Sequence, residues 1–82
     1  MKVYKFYKNN CAGCYSVSRV LNMIDIPKNV EIIQINVDIP ENKVFAKEHD
    51  IDTVPVLMFE DGRKLAGGKV TSKQMREFLG GI

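Results

Sequence analysis

The spacing of apolar positions changes several times along the chain, and each change marks an element. Val3, Tyr4, Phe6 and Tyr7 sit in a short alternating run between Lys2 and Lys8. It predicts a first strand over residues 2–7. Lys8-Asn9-Asn10 breaks the run. Asn is a favoured N-cap, so Asn10 is expected to start a helix with Cys11 in its first turn. Val17, Val20, Leu21 and Ile24 then recur at i, i+3, i+4 and i+7, the inner stripe of an amphipathic helix. Pro27 ends it.

From Val30 to Val37 the chain is β-branched and mostly apolar, which predicts a strand covered on both faces. Asp38 and Glu41 have capping-box spacing, and Pro40 is tolerated in a first helical turn. A short second helix is predicted through about Glu48, with Val44, Phe45 and Ala46 inward. Val54 to Glu60 reads as a third strand, and Asp61-Gly62 is a hairpin signal. Arg63 to Ala66 returns as a fourth, edge-like strand. Thr71 and Gln74 form a second capping box, and Met75, Phe78 and Leu79 line the inner face of a last helix. Gly80-Gly81 stops it. The order is β-α-β-α-β-β-α. A right-handed first crossover makes strands one and two parallel, and the hairpin makes strands three and four antiparallel. The expected fold is α/β, a mixed four-stranded sheet with helices on both faces.

Eighty-two residues make one domain, 1–82, with a modest core. The net charge of +2, with basic residues scattered, argues against a nucleic-acid partner. No segment approaches the apolar length of a membrane span. The first residues alternate and do not read as a secretory signal. That points to the reducing cytosol, where a close cysteine pair is catalytic or metal-binding more often than structural.

The chemistry is concentrated in Cys11-Ala12-Gly13-Cys14, which holds both cysteines of the chain. Residues i and i+3 share a helix face about 5–6 Å apart, a separation that suits a disulfide. Thiol–disulfide exchange needs one thiolate to attack a disulfide and a second thiol close enough to resolve the mixed disulfide. Cys11 is expected to attack, because it lies nearer the free N–H groups and positive dipole end of the helix. Lys8 adds positive charge, and Cys14 is the deeper, resolving thiol. Gly13 leaves the sulfurs accessible. The predicted helix begins at the carboxyl end of the first strand, where open α/β sheets place their sites. A metal site is the weaker reading, since about four ligands are needed and His49, the one histidine, is distant in sequence and expected at the surface. Tyr7 and Tyr15 flank the pair as packing residues or as the border of a substrate groove.

The strand, the C-x-x-C opening a helix, and Thr53-Val54-Pro55 before the third strand together resemble the thioredoxin/glutaredoxin superfamily. The resemblance covers essentially the whole chain, including Asn36-Val37-Asp38 and the final Ser72–Leu79 segment. It implies a cis peptide at Pro55, facing the cysteines, with the Val54 backbone available to an extended substrate strand. Other features are similar to glutaredoxins and the small donors of ribonucleotide reductase: a short chain, Lys8 three residues before Cys11, and Thr53-Val54-Pro55 with Gly67-Gly68 at glutathione-binding positions. The departures are an Ala-Gly interior, Asn10 where thioredoxins have tryptophan, and Lys69-Val70 where glutaredoxins carry an acidic pair. Lys5 stands where thioredoxins bury an aspartate, and it is read as alternating outward.

The resemblance therefore implies a cytoplasmic, monomeric protein-disulfide reductase with catalytic Cys11 and Cys14. Substrate contacts fall on Lys8, Tyr15, Thr53, Val54, Pro55, Gly67 and Gly68. No bound cofactor or metal is expected. Re-reduction would come from a thioredoxin reductase or glutathione. The alternatives are a glutathione-dependent glutaredoxin, or a binding module that uses the Pro55 groove without catalysis.

Overall fold

The computed structural model describes residues 1–80. Seven elements follow the expected order: β1 (Lys2–Tyr7), α1 (Ala12–Met23), β2 (Glu31–Asn36), α2 (Pro40–Glu48), β3 (Val56–Phe59), β4 (Lys64–Ala66) and α3 (Ser72–Gly80). The sheet order is β2-β1-β3-β4. β1 runs parallel to β2 and antiparallel to β3, and β3 runs antiparallel to β4.

The alternation of β1 divides the core. Val3 packs with Val17 and Leu21 of α1 and with Met75 and Leu79 of α3. Phe6 packs with Ala46 of α2, and Tyr4 and Phe45 close around them. So α1 and α3 cover one face of the sheet and α2 the other. The fully buried strand is β3, whose four residues are all inaccessible. β2, expected to be covered on both faces, is instead a sheet edge with no fully buried residue. Its apolar run reflects pairing with β1 and half-buried packing by Ile32 and Ile35.

Local signals succeed where side chain and backbone agree. Thr71 and Gln74 form a reciprocal capping box: Gln74 N–H donates to Thr71 Oγ1 at 3.1 Å, and Thr71 N–H to Gln74 Oε1 at 2.9 Å. Gly62 takes φ +97° in the β3–β4 turn, a conformation that glycine adopts without strain. Val44, expected inward on α2, is exposed; Ala46 and Phe45 carry the inner face. The Asp38–Glu41 box does not form. Ile39 is the N-cap of α2 with no side-chain bond, and Pro40 begins the helix. Asp38 is used elsewhere, as described below. The third strand is shorter than expected because Thr53 and Val54 form a bend before it and Glu60 already belongs to the turn after it. The Gly81 half of the Gly80-Gly81 stop lies outside the described residues.

Candidate functional site

The site is built from the end of β1 outward. After Tyr7 the chain leaves the sheet, and Asn10 turns at φ +55°, a left-handed conformation that Asn tolerates. Asn10 is therefore not the helix cap. Cys11 is, with extended backbone (φ −119°, ψ +105°) and its Sγ accepting from Cys14 N–H at 3.1 Å. A sulfur replaces the usual hydroxyl or carboxylate in satisfying a free N–H of the first turn.

Cys11 and Cys14 form a disulfide with Cα atoms 5.2 Å apart, within the separation inferred from their spacing. Burial hardly distinguishes them, since Cys11 is 7% exposed and Cys14 4%. Their difference lies in position: Cys11 caps the helix, and Cys14 lies one turn deeper beside Val17.

The loop before Cys11 is tied to the far end of β2. Asn9 N–H donates to Asp38 Oδ2 at 2.9 Å, Asn36 Nδ2 to Asn9 Oδ1 at 3.3 Å, and Asp38 N–H to Asn36 Oδ1 at 2.9 Å. Asp38, which the spacing assigned to a helix cap, thus fixes the approach to the cysteines.

The Val54–Pro55 peptide is cis, and Pro55 is buried. Gly67 N–H donates to Pro55 O at 3.1 Å, so the Gly67-Gly68 loop is held against the same side of the site. That loop meets the cysteine motif backbone to backbone. A Cβ on Gly68 would lie 2.6 Å from Gly13 Cα. One on Gly13 would lie 3.1 Å from Gly68 Cα and 3.2 Å from Pro55 Cδ. Two glycines permit this approach, which is a packing reason for the Gly of Ala12-Gly13. Nothing in the sequence pairs these two positions.

The remaining residues divide between two cavities. One, of about 500 Å³, is lined by Lys8, Cys14 and Tyr15 together with Lys5. The other, of about 640 Å³, is lined by Lys8, Thr53 and Val54. Lys8 is exposed and borders both, and the Tyr15 ring is largely exposed beside the pair. His49 is removed from this region. It packs edge-on against Phe45, with ring centroids 4.8 Å apart. Among the described residues no group of three or more His, Cys, Asp or Glu side chains is placed to hold a metal ion.

Lys5 corrects the sequence reading most sharply. It does not point outward; it is 5% exposed, on the α1 face of β1. Its Nζ donates to Ser18 Oγ of α1 and to Gln34 Oε1 of β2, the latter at 3.2 Å, and lies 5.2 Å from the Tyr7 ring centroid. Burial pulls its pKa below the ordinary lysine value. The strand's alternation did place Lys5 on the face of Val3, but lysine's polarity argued for solvent.

This sheet order, with a C-x-x-C opening α1 and a proline before β3, is a thioredoxin-like fold. Oxidised mitochondrial thioredoxin 3 from Saccharomyces cerevisiae superposes with a TM-score of 0.76 at 24% identity, over 99% of this chain and 77% of that one. A mutant thioredoxin from Halobacterium salinarum NRC-1 gives 0.74 at 22% identity, over 98% and 72%. Trxlp from Edwardsiella tarda EIB202 gives 0.74 at 15% identity, over 95% and 80%. No curated protein matches the chain. The profile of the Glutaredoxin-like domain (DUF836) matches residues 2–80, and the chain belongs to that family.

Proposed function

We propose that the chain is a thiol–disulfide oxidoreductase that reduces protein disulfides through Cys11 and Cys14. The observation that carries this reading is the cysteine pair itself: cap and first turn of one helix, at the carboxyl end of β1, at disulfide separation. In the reduced protein the Cys11 thiolate attacks one sulfur of a substrate disulfide. A mixed disulfide forms, and the other substrate sulfur leaves with the electron pair and takes a proton. Cys14 then attacks Cys11 Sγ and forms the intramolecular disulfide. The second substrate sulfur leaves as a thiolate and is protonated. The dithiol loses two electrons and the substrate disulfide gains them.

Lys8, Tyr15, Thr53, Val54, Pro55 and the Gly67-Gly68 loop supply the substrate groove in this reading. Lys8 and Tyr15 share a cavity with Cys14, Lys8 also borders the cavity of Thr53 and Val54, and Pro55 and Gly68 lie against Gly13. A thioredoxin reductase or glutathione returns the electrons, and ribonucleotide reductase is one acceptor of the right chemistry. The family's glutaredoxin-like character favours glutathione as a second reading. Against it, the loop that follows the glycines offers Lys69 and Val70 and no carboxylate. Insulin reduction tests the proposal. Cys11→Ser is expected to abolish turnover, and a variant as active as the unaltered protein would sink the reading that Cys11 carries the reaction. Re-reduction rates with glutathione and with a flavin-dependent thioredoxin reductase separate the two reductants.

A further inference from the structure

Lys5 is a buried cation whose partners are all neutral. The groups on its ammonium are Ser18 Oγ, Gln34 Oε1 and the Tyr7 ring. Its neighbours across the sheet are Gln34 on β2 and Leu57 on β3. The cavity it shares with Cys14 has Tyr7, Lys8 and Tyr15 as its other titratable lining groups and no carboxylate. A charge removed from water is poorly tolerated without an opposing one. The group on this cavity wall that becomes an anion during disulfide exchange is Cys14.

The helix sets the approach. Ser18 follows Cys14 by four residues on α1, so their Cβ atoms lie about 5–6 Å apart on one face. An ammonium bonded to Ser18 Oγ therefore sits within about one turn of the Cys14 sulfur. An opposite charge at such range makes a thiol more acidic, and partial burial weakens the screening.

We propose that Lys5 is a positioning residue for the resolving step, its ammonium serving as counter-charge to the Cys14 thiolate. The assignment rests on the dithiol reading above. In the mixed disulfide the Cys14 thiol releases its proton to solvent, and the thiolate forms opposite Lys5. Its electron pair makes the bond to Cys11 Sγ, the bond from Cys11 to the substrate breaks, and the substrate sulfur leaves with the pair and is protonated. Lys5 keeps its proton throughout. Once the disulfide has formed, the thiolate is gone and Lys5 again lacks an anion, as in the structure described.

The experiment is a titration of single-thiol proteins by the ultraviolet absorbance of the thiolate. In a Cys11→Ser background, Lys5→Met and Lys5→Gln are each expected to make the Cys14 thiol about tenfold less acidic. In a Cys14→Ser background the same changes are expected to move Cys11 by less. An unchanged Cys14 titration, or an equal movement of Cys11, overturns the proposal. A second measurement needs no substitution. The NMR titration of the Lys5 side chain should lie at higher pH in the reduced protein than in the disulfide form, because coupled groups shift one another reciprocally. Coincident curves overturn the proposal even if both variants fail to fold. Neither readout requires turnover, so a protein inactive on insulin would refute the reductase reading and leave the Lys5–Cys14 coupling to be decided separately.

Discussion

The two faces of β1 solve different problems with one alternation. Toward α2, Tyr4 and Phe6 meet Phe45 in a ring cluster with centroids 5.4–6.5 Å apart, and Phe6 is fully buried. Every group there is apolar or aromatic, and His49 packs on its edge. Toward α1, Val3 is equally buried, but the next residue on that face is Lys5. An ammonium then lies under the helix that carries the cysteines. The α2 face gains stability from aromatic burial. The α1 face gives some up by burying a charge. Both faces anchor the strand, the α1 face through Val3 in a cluster with α1 and α3, but only on the α1 face does the packed surface also hold a charge, on the cavity that Cys14 lines.

The largest expected effect breaks the aromatic face. Phe6→Ala removes a fully buried ring and should destabilise the fold by about 3–5 kcal/mol, lowering Tm by roughly 4–8 °C for each kcal/mol in a domain of this size. A loss near the about 1 kcal/mol of an average substitution would show that the α2 face does not anchor the strand.

A smaller effect lies on the α1 side. Gly68→Ala sets a Cβ 2.6 Å from Gly13 Cα and should cost about 1–3 kcal/mol, with slower disulfide reduction because the loop must withdraw from the cysteine motif. Gly13→Ala meets its neighbours at 3.1 and 3.2 Å and should be the milder of the two. Thermal melts and insulin-reduction rates of the pair check the order; the reverse order would mean that the two backbones are not in contact.

The smallest effect concerns Lys5 in the disulfide form. Burial lowers its folded-state pKa from an ordinary value near 10.5. The unfolded chain therefore holds the proton to higher pH, and the folded protein gains stability as pH rises from the folded value toward the unfolded one. Below that window the penalty of burying the charge is present in full. Lys5→Met removes this contribution. Denaturant melts across alkaline pH should show a stability difference between the variant and the unaltered protein that changes through this window. A constant difference would mean that Lys5 titrates alike in both states.

Much of this was legible along the chain, for identifiable reasons. The alternation in β1, the stripe from Val17 to Ile24 and the Thr71–Gln74 box are local patterns whose meaning needs no distant partner. The C-x-x-C spacing is local too, and helix geometry alone brings the cysteines together. The α2 cap is not legible locally because Asp38 accepts instead from Asn9, a residue brought near only when β1 and β2 pair. The cap of α1 was displaced from Asn10 to Cys11 because the turn needed a left-handed residue, which then could not be the extended cap.

The sequence by itself determined the order of elements, the cysteine pair on one helix start and the apolar faces that bury that helix, because each depends on periodicity or short-range geometry. The tertiary structure decided that β2 lies at an edge, that Gly13 and Gly68 share one backbone contact, and that Lys5 is buried beside the cavity of Cys14. These are long-range juxtapositions. Their energies come from desolvation and close packing, and neither exists until separate segments meet.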